Sequence, residues 1–329
     1  MGKRTRSMFL ALLSGGLATA YVGGPALAEW KPAKPVEFVV MAGKGGGADK
    51  AVRFLQAIIA KEKLGVTVLP VNKGGGSGAE ALLYLKGKAG DEHTIMFTLN
   101  SFYTTPLRQP KLAIDIGTFT PIMRMAEDTF CLWVNTKRKD GKAIKTVDDF
   151  VKAAKAAGDK WIMAGTGKAS EDELLTDYLN STYGLKMKYV PYRGGGAVAT
   201  ALAGNNADST VNNPSEAVGF HKADQVRAVA CFTPKRLALF KDTPTFKEVG
   251  TDFVYYMQRT VVGPPGMNKE AVAFYQSLFK KVFASKDWQD YRAKNSLQGA
   301  PITGAELMDY WKREREVHRA MLKKMGAIK

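Results

Sequence analysis

Three stretches of this chain share one device: a run of apolar residues, a glycine-rich turn, then the start of a helix. They are Gly43–Asp49, Gly165–Glu171 and, more loosely, Arg193–Ala197. The first N–H groups of a helix have no partner within it and carry partial positive charge. Glycine lets a ligand come close to that backbone. One exposed helix start contributes about 0.3–1 kcal/mol towards holding an anion, and towards ~2 kcal/mol when partly buried. Several starts converging on one crevice would therefore bind a carboxylate without any arginine. A tight turn between strand and helix accounts for any one of these stretches. Their repetition is what points to binding.

Other chemistry finds little support. Gly43-Lys-Gly45-Gly-Gly-Ala48 fits G-x-G-x-x-A, a dinucleotide fingerprint. That use needs an acid about twenty residues on, at the end of the second strand. Here the strand ends Val71-Asn72-Lys73. No Gly-Lys-Ser/Thr follows at P-loop spacing, and there is no G-x-S-x-G. His93, His221 and His318 are scattered, and Cys131 and Cys231 lack metal-type spacing. Asp172 and Glu173 stand beside a glycine turn, but Ser170-Glu-Asp-Glu173 reads as a capping box. No catalytic residue, metal or cofactor is expected.

The elements around these turns alternate strand and helix. Val36–Met41, Val66–Val71, Thr94–Leu99, Phe130–Asn135, Trp161–Ala164, Met187–Val190, Asp208–Val211, Val226–Phe232 and Phe253–Val262 read as strands. Helical spacing follows the first turn at Val52, Leu55, Ile58 and Ile59, and recurs at Ala79–Lys86 and after Thr146 and Ser170. Asn268, Ser285 and Thr303, the last as a second capping box with Glu306, open three further helices. This pattern predicts an α/β fold with parallel sheets. The helical tail has no strand of its own and is expected to pack on the first lobe. In open α/β sheets ligands lie beyond the carboxyl ends of the strands, where all three glycine turns fall.

The N-terminus decides the compartment. Lys3, Arg4 and Arg6, the apolar Met8–Ala20 stretch and Ala26-Leu27-Ala28 form a secretory leader with a cut near Ala28. The apolar stretch is shorter than the ~20 residues a spanning helix needs. The formal charge is +17, and +14 once those three cations leave. Such a surplus favours small anions or an acidic surface, and export argues against nucleic acid. In an oxidising compartment Cys131 and Cys231 either pair or stay as two buried thiols.

From about Pro35 onward the chain resembles the substrate-binding proteins of tripartite tricarboxylate transporters, the Bug-type receptors. The resemblance is carried by VVMAGKGGGADK, PVNKGGGSGAE, AGTGKASEDELLT, YVPYRGGGAVATALAGNNAD, VNNPSE, the TPKR…DTPTFKEVG stretch and TVVGPPGMNKEAV. It implies a two-lobed, type II-like periplasmic binding protein with two hinge-crossing strands, near Met125–Asn135 and Phe253–Gly263. Lobe 1 would hold 29–130 and 256–329, and lobe 2 would hold 131–255. The implied role is capture of a small organic carboxylate, a di- or tricarboxylate or an aromatic acid. The implied partners are the large and small membrane subunits of a transporter, with the receptor a monomer. An exported enzyme on the same scaffold and a ligand-presenting sensor are the alternatives.

The family's first-lobe loop maps onto Ala42, Gly43, Lys44, Gly45, Gly46, Gly47 and Asp49. Its second-lobe loop maps onto Gly165, Thr166, Gly167, Ser170 and Glu171. Asn100, Ser101 and Tyr103 fall at another cleft-facing position. Arg193, Gly194 and Gly195, with Asn212 and Asn213, complete the second-lobe wall. The chain departs from its relatives at Lys44, which stands where many carry a small apolar residue. Lys168 and Ala169 replace common serines, and Glu171-Asp172 replaces a commoner Ser-His pair. These changes remove hydroxyl donors and add negative charge. Gly46→Val and Gly165→Val are both expected to fill the anion site while leaving the fold intact.

Overall fold

The computed structural model describes residues 1–2, 30–168 and 170–329. The leader expected through Ala28, and Ala169 of the second glycine loop, lie outside the described residues. In chain order the elements are β1 (Val36–Val40), α1 (Gly47–Lys61), β2 (Val68–Asn72), α2 (Ala79–Lys86), β3 (Thr94–Thr98), α3 (Ser101–Arg108), β4 (Thr120–Thr129) and β5 (Cys131–Asn135). Then come α4 (Val147–Ala157), β6 (Ile162–Thr166), α5 (Glu171–Tyr183), β7 (Lys188–Tyr192), α6 (Gly195–Ala203), β8 (Ser209–Asn212), α7 (Pro214–Lys222) and β9 (Val226–Cys231). The chain closes with β10 (Tyr256–Gly263), α8 (Lys269–Ala284), α9 (Lys286–Lys294) and α10 (Gly304–Lys324).

Two five-stranded sheets make two lobes, ordered β2-β1-β3-β10-β4 and β7-β6-β8-β5-β9. In each lobe three strands run parallel, β1 with β2 and β3 in one, β6 with β7 and β8 in the other. β4 and β10 pair antiparallel and lie where the chain passes between lobes. It leaves through β4 and Phe130 straight into β5, and returns after β9 into β10. Asn213 donates from Nδ2 to the Thr129 carbonyl at 2.7 Å, tying the second lobe to this crossing.

Alternation along the strands sorts the cores. Val36, Phe38 and Val40 join one cluster with α1 and α8, while Val39 and Met41 face α2, α3 and α10 on the other side. In the second lobe Leu132 and Val134 pack with Phe150 and Leu174, and Trp133 faces Leu202 and Ala217. Strands covered on both faces read as continuous apolar runs, which is why VEFVV and TIMFT are legible as strands. The register sets Cys131 opposite Cys231, and the two form a disulfide.

Some local expectations change. The reciprocal capping box is at Thr146 and Asp149. Ser170 Oγ accepts from Glu173 N–H at 3.4 Å and pairs with Tyr189 Oη at 3.1 Å, and Thr303 gives no side-chain cap among the described residues. The tail belongs to both lobes. Leu307, Tyr310 and Trp311 of α10 pack in the first, but Leu322 joins the second core with Met325 and Ile328 against it.

Candidate ligand-binding cleft

The loops after β1, β2 and β3 face those after β6, β7 and β8 across a cavity of about 650 Å³. That is a size suited to a small molecule, at the carboxyl ends of parallel strands. Of the residues expected at the site, Ala42, Gly43, Gly46, Gly47, Ser101, Thr166, Gly167, Ser170, Glu171, Arg193, Gly194, Gly195 and Asn213 line it. Lys44, Gly45, Asp49, Asn100, Tyr103, Gly165 and Asn212 are not among the lining residues.

Each absence has a physical reason. Lys44 and Gly45 are exposed, and the Gly45 carbonyl lies beside Gly196 of the other lobe. Asp49 is buried and folds back to accept from Gly45 N–H at 2.9 Å, Arg53 Nε at 3.0 Å and Asn72 Nδ2 at 3.0 Å. Burial raises its carboxyl, but those hydrogen bonds and the Arg53 charge outweigh burial and hold it below the usual range. Asn100 is 1% exposed and belongs to the crossing. Its Nδ2 reaches the Tyr256 carbonyl at 2.6 Å and Tyr255 Oη at 3.1 Å, and its Oδ1 accepts from Gln258 N–H at 2.9 Å. His318 completes this cluster, with Nδ1 on the Glu314 carbonyl at 2.7 Å and Nε2 near Asn100 and Tyr255. Burial lowers the His318 pKa to about 4, so the ring is neutral at ordinary pH. Tyr103 packs edge-on to Phe102 and tilted against His318 in the interior. Asn212 sits behind the second-lobe wall, where Nδ2 donates to the Gly195 carbonyl at 3.1 Å.

Gly165 is a packing glycine. A Cβ there would lie 2.5 Å from the Tyr189 ring and 2.6 Å from Asp172 Cβ. The expectation that Gly165→Val spares the fold therefore fails. Gly46 differs: its Cβ would meet only Glu216 Oε1 at 3.6 Å and the Gly43 carbonyl at 3.8 Å.

The cleft also holds charge that the motifs did not reveal. Glu216, on the first turn of α7, crosses to the other lobe and accepts from Gly47 N–H at 2.8 Å. It thereby caps α1, whose own N-cap, Gly46, offers no side chain. Glu171 also crosses, accepting from Ser101 N–H at the start of α3 at 2.7 Å. Asp172 accepts from Thr166 N–H at 2.7 Å. Glu171 and Asp172 are 4% and 3% exposed, and Glu216 keeps some solvent contact. Burial raises all three carboxyls. The Ser101 and Gly47 N–H groups and Arg259 oppose this at Glu171 and Glu216. At Asp172 the neighbouring Glu216 and Glu171 charges add to it. Arg259 of β10 lines the cleft but is bound by Asp128 of β4 through Nε at 3.0 Å and through Nη2. Both side chains of that pair are almost wholly buried.

Sequence reasoning had a signal for Arg259, a cation inside an apolar strand. It had none for Glu216, because an acid in a first helical turn is already explained by its own helix. Asn72, Lys168 and the Gly74–Gly78 loop, after β2, also line the cavity.

Two open α/β sheets closing on a cleft at their strand ends define a two-lobed binding protein of the periplasmic kind. The chain belongs to the tripartite tricarboxylate transporter family of receptors, whose pattern matches residues 52–327. It is 24% identical over 320 residues to the UPF0065 protein in gbd 5'region of Cupriavidus necator, covering 97% of this chain and 96% of that one. In fold it is similar to the periplasmic binding protein BugD, with a TM-score of 0.81 and 22% identity over 91% of this chain and 99% of that one. It is similar too to R. palustris Rpa4515 with adipate, at TM-score 0.83 and 21% identity over 90% and 98% of the two chains.

Proposed function

We propose that this chain is a periplasmic receptor that captures a small organic carboxylate between its lobes and delivers it to the large and small membrane subunits of a tripartite tricarboxylate-type transporter. The observation that carries this reading is the 650 Å³ cleft built from glycine-rich loops of both lobes at six parallel strand ends. Similarity to a neighbour that holds adipate supports a carboxylate. Lobe 1 comprises 29–130 and 256–329, apart from the end of the tail, which packs on the second core; lobe 2 comprises 131–255, and a leader ending near Ala28 directs export. The chain acts as a monomer by lobe closure, without covalent chemistry.

In this reading the ligand's carboxylate lies at the rim of the cleft, beside Arg193 and Lys168. A thermal-shift screen of the chain from Glu29 against aliphatic and aromatic carboxylic acids tests this. A ligand at 100 times its Kd adds about 2.7 kcal/mol of stability. A shift with one chemical group supports the receptor. No shift from any acid with a ligand-free, folded protein rejects it.

A further inference from the structure

The receptor reading, on which this inference rests, leaves the cleft acids unexplained. An anion arriving at the first lobe would seek the starts of α1 and α3. Both are occupied by the chain's own carboxylates, Glu216 on Gly47 N–H and Glu171 on Ser101 N–H. Glu216 also lies flat on the start of α6, since a Cβ at Gly195 would fall 1.9 Å from its Oε2. Beside it Asp128 Oδ1 and Ser215 Oγ are buried, with no hydrogen-bond partner among the described residues. The floor carries more carboxylates than cations.

The cations are arranged the other way. Arg259, on the floor, is committed to Asp128. Arg193 and Lys168 are exposed at the mouth. Charge is therefore layered, acidic inside and basic at the rim. A bare dicarboxylate would have to push one end against Glu171, Asp172 and Glu216. Asp128, Glu171, Asp172 and Glu216 share one buried cation, Arg259, and a further buried negative charge beside them is costly.

We propose that the ligand is zwitterionic: a small carboxylate that also carries a protonated nitrogen, held against Glu171 and Glu216 on the floor, with its carboxylate turned to the Arg193 and Lys168 rim. Glu171 and Glu216 are then specificity-determining residues, which select for the nitrogen and against a second carboxylate. Asp49 takes no part, because Arg53, Asn72 and Gly45 occupy it.

Glutamine separates this role from a mere latch between the lobes. Glu171→Gln and Glu216→Gln keep an oxygen for the Ser101 and Gly47 N–H groups but lose the charge. Calorimetric titration of the chain from Glu29, refolded free of ligand, would compare succinate with aspartate, adipate with 2-aminoadipate, and butyrate with 4-aminobutyrate. The amino member of at least one pair is expected to bind about tenfold or more tightly than its partner, the scale of a hydrogen bond to a charged group. Each glutamine variant is expected to reduce that ratio by a similar factor. Equal or tighter binding of the unaminated acids to the unaltered chain overturns the inference and leaves the receptor standing. Amino-acid binding whose ratio neither variant changes overturns the roles of Glu171 and Glu216. Binding by no acid defeats the receptor reading and this inference with it. If a variant does not fold, the matched-pair ratio on the unaltered chain decides the matter.

Discussion

Replacing Gly195 by alanine is expected to open the lobes without weakening either one. The added Cβ would fall 1.9 Å from Glu216 Oε2, 2.1 Å from Cδ and 2.3 Å from Oε1, so the carboxylate has to leave. Gly195 is not in the left-handed region, and as the first residue of α6 it gains less than the ~1 kcal/mol by which alanine exceeds glycine in a helix interior. The lobe itself should lose nothing. What is lost is the bond from Glu216 to Gly47 N–H, 2.8 Å long and made across the cleft. A hydrogen bond to a charged group contributes about 1.5–3 kcal/mol. Glu216 keeps some solvent contact, so the low end applies. About 1.5 kcal/mol corresponds to roughly a tenfold shift from closed towards open. Small-angle X-ray scattering of the ligand-free protein would read this as a larger radius of gyration, with thermal stability lowered by no more than the loss of that one bond. A Gly195→Ala protein with the scattering curve of the parent would refute the idea that Glu216 holds the lobes together. A large fall in Tm would instead mean that Gly195 is needed by the fold.

Other substitutions separate site from scaffold. Gly46→Val should fold normally and lose ligand binding. Gly165→Val, driven into Tyr189 and Asp172, should cost about 1–3 kcal/mol in a denaturant melt before any question of binding arises. Asp172 has a folded-state pKa well above the ordinary 3.8, so the native state binds the extra proton and stability falls as pH rises through that window. Asp172→Asn, which can still accept from Thr166 N–H, should therefore raise Tm at pH 7, with a gain that shrinks towards pH 4; an equal fall in Tm at every pH would contradict this. His318 has the opposite sign. Its pKa falls from 6.5 unfolded to about 4 folded, so its contribution is complete above 6.5 and is lost as pH drops towards 4. The loss is on the order of 3 kcal/mol at most. His318→Gln should melt lower at pH 7 but show a flatter Tm between pH 6.5 and 4.

The limits of the sequence reading follow from distance along the chain. Strands buried on both faces and helices of three turns or more announce themselves, and the glycine loops led straight to the cleft. α3 did not, because it is eight residues long and holds Pro106 in its interior. Nor did the choice between paired and free cysteines, since only the β5–β9 register brings Cys131 to Cys231 across a separation of 100 residues. Asn100 and Tyr103, placed at the cleft by likeness, turn inward because the tail supplies His318 as their neighbour. Glu216 was invisible for the same reason, its partner Gly47 being 169 residues away in the other lobe. The charge of a cleft is decided by such long-range meetings, and no local motif records them.

Hydrogen–deuterium exchange tests most directly whether the cleft is the binding site. The chain from Glu29 would be compared alone and saturated with the acid that raises its Tm most. The account predicts new protection in the segments 42–49, 166–172 and 193–197, from both lobes at once. Protection confined to one lobe, or falling outside these loops, would contradict it.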